Sequence, residues 1–269
     1  MTLIENALQK LQQGTKRPAG NVNRPTQARI EASVAPPPVP MPLLHATIDS
    51  TVMERNCVLP RVNDEQALRA YKILRTRVIQ KLNSNDWRSL IVTGTDVQQG
   101  KTLTAVNLAF ALAQDPATSV CLVDLDLRRP HVANSLGMQF NFGLGDYLSG
   151  AAEIEQIVYE VGVPRLAIIP NAQQLQHSSE LLSSPRMLQL LERLRGVATQ
   201  NVIIYDMPPL MMSDDVLAFS SQADGVLLVV SEGMTERGSV EKAKEVMADM
   251  NVIGVVLNRS METNEAGYY

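Results

Sequence analysis

A Gly-Lys-Thr triplet stands between a short apolar run and a helical pattern in the first half of the 269-residue chain. The apolar run covers residues 89–93 and the helical pattern covers residues 102–114, with a glycine-containing loop between them. A strand, a loop ending in Gly-Lys-Thr and a helix, in this order, form the context that a phosphate-binding P-loop requires. Backbone N–H groups of such a loop and of the helix N-terminus point at the phosphates of a nucleotide.

Individual residues of this loop have predicted roles in binding ATP with Mg²⁺. Lys101 places a positive charge on the β and γ oxygens, and the hydroxyl of Thr102 reaches the magnesium ion. The other loop residues predicted to line the nucleotide are Gly94, Thr95, Gln99, Gly100 and Leu103. The loop departs from the pattern G-x-x-x-x-G-K-[ST], because threonine stands at position 95 and the glycine lies one place earlier.

Apolar runs alternate with helical patterns over the remainder of the chain. The runs predicted as strands cover residues 89–93, 120–124, 166–170, 202–206, 225–230 and 253–257. Helical patterns cover residues 64–82, 102–114, 179–195, 214–221 and 239–250. Continuous apolar strands indicate a sheet that is covered on both faces. The alternation therefore predicts an α/β fold of the P-loop NTPase type, with a doubly wound, mostly parallel sheet and helices on both faces.

Two of the predicted strands end in aspartate, at Asp124 and Asp206, and Asp126 follows the first of them. Ligands bind at the carboxyl ends of parallel strands. Carboxylates that follow apolar strand residues are costly unless they are solvated, paired or near a cation, and Mg²⁺ is the expected cation beside a P-loop. Asp206 suits a magnesium role through water, and of Asp124 and Asp126 one could hold the metal while the other accepts a proton. The alternative for Asp126 is that it only caps or pairs with Arg128 or Arg129.

Composition and charge exclude several classes of function. The formal net charge of −4 gives no argument for nucleic-acid binding. Cys57 and Cys121 form no Cys-x-x-Cys pair, so they indicate neither a disulfide framework nor a zinc site and favour a reducing compartment. No apolar run approaches the roughly 18 residues that span a bilayer, and residues 1–10 do not have the pattern of a secretion signal. We therefore expect a cytoplasmic protein without a membrane span of its own.

The chain divides into four predicted segments. Residues 1–13 carry an apolar stripe at helical spacing, which indicates either a marginal amphipathic helix or a docking helix for a partner. Residues 14–62 are rich in proline and predict a flexible linker. Residues 63–260 form the P-loop domain. Residues 261–269 are a short polar tail that ends in Tyr268 and Tyr269, either a frayed end or a flexible phospho-acceptor.

Several motifs resemble those of the bacterial tyrosine kinases of capsule and exopolysaccharide assembly, P-loop ATPases related to the MinD/ParA group. Residues 123–130, Val-Asp-Leu-Asp-Leu-Arg-Arg-Pro, are similar to the Walker A′ motif of that family. Residues 205–209, Tyr-Asp-Met-Pro-Pro, are similar to its Walker B motif, and residues 143–150 and 180–187 resemble two further segments. The resemblance covers roughly residues 64–259.

This resemblance implies an ATP-dependent, autophosphorylating protein-tyrosine kinase that regulates polysaccharide biosynthesis or export. Under it, Lys101 and Thr102 bind phosphate and Mg²⁺, and Asp124 and Asp206 organise the metal. Asp126 is the implied base for a tyrosine hydroxyl, and Asn258, after the last strand, is implied to recognise adenine. Tyr268 and Tyr269 are the implied phospho-acceptors.

The same resemblance implies partners. It implies a transmembrane activator of the polysaccharide co-polymerase type, which recruits the chain to the inner face of the plasma membrane, and it admits a homo-oligomer. The family's interface motif E-x-x-R-x-x-R appears here as Arg69-x-x-Lys72-x-x-Arg75, so a ring held by Glu–Arg pairs would lose an attraction. Residues 97–99 replace the usual Pro-Gly-Glu. Asp96 stands where MinD and ParA proteins carry a signature lysine, which argues against that branch.

Two alternative functions remain open from the sequence. One is an ATPase switch like MinD and ParA, in which the nucleotide state controls dimerisation or localisation without tyrosine transfer. The other is a weakly catalytic nucleotide-binding scaffold of the export machinery, which the altered P-loop favours.

Overall fold

A computed structural model describes residues 43–59, 61, 64–196 and 201–260 and contains one eight-stranded sheet in the order β1-β4-β5-β3-β6-β2-β7-β8. The strands are β1 (Leu44–His45), β2 (Ser89–Gly94), β3 (Ser119–Asp124), β4 (Tyr159–Glu160), β5 (Leu166–Ile169), β6 (Asn201–Asp206), β7 (Gly225–Ser231) and β8 (Val252–Asn258). Within the described ranges every neighbouring pair is parallel except β4 and β5. The predicted mostly parallel sheet is confirmed.

Nine α-helices lie in the described ranges. They are α1 (Ser50–Arg55), α2 (Glu65–Asn85), α3 (Lys101–Ala113), α4 (Val132–Leu136), α5 (Leu144–Ser149), α6 (Ser178–Leu182), α7 (Pro185–Gly196), α8 (Asp215–Phe219) and α9 (Arg237–Val246). The single helix predicted over residues 179–195 is wrong, because the chain forms α6 and α7 there. Pro185 opens α7, and proline fits the first turn of a helix but not its interior.

The two faces of the sheet are buried in separate hydrophobic clusters. Ile91 of β2 packs into one cluster with Val123 and Tyr205, whereas its neighbours Leu90 and Val92 pack into the other. This division follows from strand geometry, because successive side chains point to opposite faces. Helix α3 is buried along nearly its whole length within the second cluster. A central helix held in this way gives the phosphate loop a rigid support.

Residues 43–59 form part of the folded domain, so the linker predicted over residues 14–62 is wrong for this portion. Strand β1 pairs in parallel with β4, and Met53 and Leu59 are each 2% exposed. Asn107 of α3 fastens the segment from inside the core, because its Oδ1 accepts the N–H of Leu59 at 2.8 Å and its Nδ2 donates to the carbonyl of Cys57 at 3.0 Å. Burial of scattered apolar side chains thus folds residues 43–59 onto the domain, although their sequence shows no regular hydrophobic pattern.

Two predicted segments lie outside the described residues. They are the amphipathic helix of residues 1–13 and the tyrosine tail of residues 261–269. Among the described helices, none combines the length and the apolar character that crossing a membrane requires.

Candidate active site

The phosphate loop joins the buried strand β2 to the N-terminus of α3. Gly100 precedes the helix with φ of 85°, a left-handed conformation that glycine adopts without strain. A Cβ at Gly100 would also collide with the side-chain amide of Asn258, whose Nδ2 donates to the carbonyl of Gln99 at 2.9 Å. Asn258, predicted to recognise adenine, therefore lies at the end of β8 directly against the phosphate loop.

The side chain of Gln99 braces the loop from within and is almost fully buried. Its Oε1 accepts the N–H groups of Thr95 and Asp96 at 2.8 and 3.0 Å. Its Nε2 donates to the hydroxyls of Thr95 and Thr235 at 2.7 and 2.9 Å. Since these bonds use the whole amide, only the backbone of Gln99 can face a phosphate. Thr235, in the turn after β7, was missed because nothing local to it indicates a contact with the P-loop.

Gln98 has a strained backbone conformation within the phosphate loop. Its φ is 59°, in the left-handed region where an L side chain crowds the backbone. It occupies the middle of the Val97-Gln98-Gln99 stretch, where the family that the sequence resembles carries glycine. The loop therefore keeps its shape despite losing the residue that adopts it most easily.

Lys101 and Asp126 form a buried ion pair at the start of α3. The Nζ of Lys101 donates to Oδ2 of Asp126 at 2.8 Å, and their side chains are 13% and 5% exposed. The other carboxylate oxygen of Asp126 accepts the N–H of Arg129 at 2.9 Å. Asp126 thus caps the backbone of its own loop, as one reading of the sequence had it, but its side-chain ion pair is with Lys101.

Asp124 and Asp206 stand side by side at the carboxyl ends of β3 and β6. Oδ2 of Asp124 accepts the N–H groups of His131 and Val132 at 3.0 and 2.9 Å. Its Oδ1 accepts the N–H of Asp126 at 3.3 Å. By contrast, both carboxylate oxygens of Asp206 are buried and have no hydrogen-bond donor in the part of the chain that the structure describes.

Burial and neighbouring charges shift the pKa values of Asp124, Asp206 and Lys101. Burial, and then the charge of Asp206, hold the pKa of Asp124 well above its usual value. Burial also raises the pKa of Asp206, and the charge of Lys101 opposes this rise. The nearby hydroxyl of Thr102 opposes it to a smaller degree, although it makes no hydrogen bond of ordinary geometry to Asp206. Burial disfavours the Lys101 ammonium, but Asp206 and Asp126 together outweigh it, so the pKa of Lys101 is raised.

These residues fit a magnesium–nucleotide site. Lys101 faces three carboxylates, and the unpartnered oxygens of Asp206 offer acceptors for a cation or for its bound water. Among the described residues, no three His, Cys, Asp or Glu side chains are placed to hold a metal by themselves. The adjacent carboxylates of Asp124 and Asp206 suit Mg²⁺, which usually takes one or two carboxylates and completes its shell with phosphates and water.

The remaining predicted site residues fall into three groups. Thr102 is buried at the helix start, where its hydroxyl lies 3.4 Å from the Lys101 ammonium, and Gly94 ends β2. The side chain of Leu103 packs against the hydrophobic core, so only its backbone can serve a nucleotide. Tyr268 and Tyr269 lie outside the described residues.

Known proteins share this architecture. A family model described as the CobQ/CobB/MinD/ParA nucleotide binding domain matches residues 90–267. Tyrosine-protein kinase YwqD of Bacillus subtilis is 31% identical over 225 residues, which make up 81% of this chain and 92% of that relative.

Solved structures agree with these matches. The kinase domain of the Escherichia coli tyrosine kinase ETK superposes with a TM-score of 0.65 at 27% identity, over 74% of this chain and 77% of that one. MinD from Pyrococcus horikoshii, solved with Mg-ADP, gives a TM-score of 0.53 at 25% identity, over 65% of this chain and 72% of that one. The chain therefore belongs to the CobQ/CobB/MinD/ParA nucleotide-binding domain family and, within it, to the bacterial tyrosine-protein kinases.

Proposed function

We propose that this chain uses ATP and Mg²⁺ to phosphorylate tyrosine, its own included, and thereby regulates polysaccharide biosynthesis or export. The observation that carries the proposal is the buried Lys101–Asp126 pair, 2.8 Å long, beside the unpartnered carboxylate of Asp206. The family relationship supports the same reaction, because relatives such as YwqD are named tyrosine-protein kinases.

Nucleotide binding would use the start of α3 and the loop before it. Lys101 and Thr102 open a thirteen-residue helix, whose N-terminal N–H groups favour an anion. Thr102, Asp124 and Asp206 would hold Mg²⁺, which neutralises charge on the transferring phosphoryl group. The MinD neighbour solved with Mg-ADP supports this assignment of the site.

Asp126 is the proposed base. Its ion-pair partner Lys101 is proposed to control whether Asp126 can accept a proton. The ammonium of Lys101 donates to Oδ2 of Asp126. The phosphates of ATP would compete for that ammonium and leave Oδ2 able to accept a proton. The tyrosine oxygen then forms a bond to the γ-phosphorus as the bond to ADP breaks, and the phenolic proton passes to Asp126. Because the pKa of tyrosine is about 10, this proton leaves only as the new bond forms.

The proposed partner is a transmembrane activator of the polysaccharide co-polymerase type, which would hold the chain at the inner face of the membrane. The resemblance to the capsule and exopolysaccharide kinases supports this assignment. An activator segment could supply contacts that complete the active site. A homo-oligomer would allow one subunit to phosphorylate the tail of another.

Lys101→Met is the first test of the proposal. The substitution removes the charge over the β and γ phosphates and should abolish ATP turnover and phosphotyrosine formation while the circular dichroism spectrum stays unchanged. Turnover at the wild-type rate would show that the P-loop assignment is wrong.

A mixing experiment tests the acceptor and the direction of transfer. A Lys101→Met chain, with its tail intact, is mixed with an active chain in which Tyr268 and Tyr269 are both replaced by phenylalanine. Mass spectrometry should find phosphotyrosine on the tail of the Lys101→Met chain. About eleven residues from Asn258 reach roughly 35 Å when extended, which permits contact with an adjacent subunit, whereas a return to the chain's own γ-phosphate would demand a sharp reversal. An unlabelled mixture, with wild-type labelling independent of concentration, would instead indicate transfer within one chain.

The second candidate function is an ATPase switch. The likeness to MinD favours it. It predicts ATP hydrolysis with no phosphotyrosine, even when the activator is present. The scaffold alternative predicts neither hydrolysis nor transfer, so the same two measurements separate all three functions.

A further inference from the structure

A second polar network lies next to the reaction centre and has no part in the roles assigned above. Nε of Arg128 donates to the hydroxyl of Ser178 at 3.0 Å, and that hydroxyl donates to Oδ1 of Asp215 at 2.8 Å. Nε of Arg128 also lies 3.6 Å from Oδ2 of Asp215. Ser178 and Asp215 are completely buried, whereas the side chain of Arg128 is 49% exposed.

The network connects three separate segments of the chain. Arg128 lies in the loop after β3, two residues beyond Asp126, while Ser178 and Asp215 are the first residues of α6 and α8. A backbone hydrogen bond from Leu175 to the carbonyl of Leu127, 2.8 Å long, adds a second tie at the same place. The loop that carries Asp126 is therefore held against the start of both helices.

The energetics of this arrangement favour a role in positioning. Within the described chain, Oδ2 of Asp215 has no hydrogen-bond donor. The charge of Arg128 attracts this carboxylate, and the charge of Asp214 repels it. Burial raises the pKa of Asp215, while the bond from Ser178 and the charge of Arg128 oppose that rise. Only Asp215 is buried in this ion pair, and even a fully buried pair often contributes little net stability compared with apolar residues, while some are retained for structural specificity.

We propose that Arg128, Ser178 and Asp215 are positioning residues that hold the loop of Asp126 in register with Lys101. The proposal rests on the proposed function in one respect, namely that Asp126 is the base. None of the three is among the residues proposed above to bind ATP or Mg²⁺ or to accept the proton. Arg128 fixes the loop, Ser178 orients the guanidinium, and the charge of Asp215 keeps both in place.

Asp215→Asn tests the proposal, because it preserves shape and removes the charge that holds Arg128. We expect kcat for phosphotyrosine formation to fall by roughly tenfold or more, since misplacing a reacting group by about 1 Å can cost about a hundredfold. The KM for ATP should stay at the wild-type value, because the phosphate loop is braced separately by Gln99. Arg128→Lys, which keeps the charge, should retain more activity than Arg128→Gln.

Hydrogen exchange of the nucleotide-free protein supplies a readout that needs no kinase activity. The N–H of Arg129 is bonded to Asp126, and that of Leu125 is bonded to the carbonyl of Asp206. In Asp215→Asn, peptides covering residues 125–130 should exchange roughly tenfold faster, whereas peptides from α9 should not change. If wild type never labels tyrosine but this loop still loosens, the kinase function fails and the positioning role stands.

Asp214→Asn is the matched control. Asp214 immediately precedes Asp215, and its side chain is 67% exposed, with the carboxylate 3.9 Å from the guanidinium of Arg128. The Asp214→Asn substitution should therefore leave both kcat and hydrogen exchange unchanged. The Asp215→Asn, Arg128→Gln double variant should lose no more than the worse single variant, because the two residues act through one contact. The proposal is overturned if Asp215→Asn lowers only the melting temperature, or if Asp214→Asn has the same effect on kcat.

Discussion

Replacing Asp206 by asparagine should stabilise the nucleotide-free protein while it destroys activity. The side chain of Asp206 is 0% exposed, and neither of its oxygens finds a hydrogen-bond donor among the described residues. Its charge is attracted by Lys101 but repelled by Asp126. Asparagine removes the charge with almost no change in shape, and Lys101 keeps its 2.8 Å pair with Asp126.

The size of the gain follows from the cost of an unsatisfied buried group, about 1–3 kcal/mol and more when it is charged. Asparagine remains polar and finds no ready partner, so we expect the variant to recover about 1–2 kcal/mol of this cost. For a domain of about 200 residues, each kcal/mol raises the melting temperature by about 2–4 °C. The expected rise is therefore about 2–8 °C in the absence of nucleotide.

Thermal unfolding at pH 7 without nucleotide measures the effect, with Asp224→Asn as the matched control. The carboxylate of Asp224 is well satisfied, because its Oδ2 accepts the N–H groups of Arg88 and Ser89 and the hydroxyl of Ser89, each at 2.8 Å. The same substitution there should lower the melting temperature. Adding ATP with Mg²⁺ should stabilise wild type more than Asp206→Asn, because binding raises stability only where it occurs.

The pH dependence of stability tests the same reasoning, and its direction follows from the pKa shifts of the two aspartates. Because burial raises the pKa values of Asp124 and Asp206, the folded protein binds protons more tightly than the unfolded chain. Stability from these groups is greatest below the unfolded value of about 3.9 and falls as the pH rises toward the raised folded pKa. Asp206→Asn should flatten this fall. A melting temperature below that of nucleotide-free wild type would refute the reasoning, since it would mean that the carboxylate has a favourable partner.

Two further substitutions, each with a control, test the strain in the phosphate loop and the packing of residues 43–59. Gln98→Gly should raise the free energy of unfolding by about 0.5–1 kcal/mol, because relief of about 1–2 kcal/mol of left-handed strain exceeds the entropy cost of glycine. Gln98→Ala should give no such gain in urea unfolding. Equal urea midpoints for the two variants would argue against backbone strain at Gln98. Met53→Ala should cost about 2–5 kcal/mol by leaving a cavity, whereas Met212→Ala, at a position 56% exposed, should stay within about 0.5 kcal/mol of wild type. Matching urea midpoints for these two methionine variants would show that residues 43–59 do not contribute to the core.

Six of the eight strands of the described sheet, the phosphate loop and the acidic strand ends could be predicted from the sequence because their signals are local. An apolar run of five residues indicates a buried strand wherever it packs, and Gly100-Lys101-Thr102 after such a run indicates a phosphate loop. The parallel order then places Asp124 and Asp206 at one edge without further information. The segment before α2 gave no such signal, since β1 has two residues and α1 has six.

Only the tertiary structure decided which loops meet at that edge and what their side chains do there. Gln99 is an ordinary polar residue in the sequence, yet its contact with Thr235 joins positions 136 residues apart. Asp126 could equally have paired with a neighbouring arginine, but the start of α3 brings Lys101 to it, and Arg128 turns to Ser178 and Asp215 instead. The physical reason is that periodicity and backbone preference act over a few residues, whereas the pairing of buried polar groups depends on how distant segments pack.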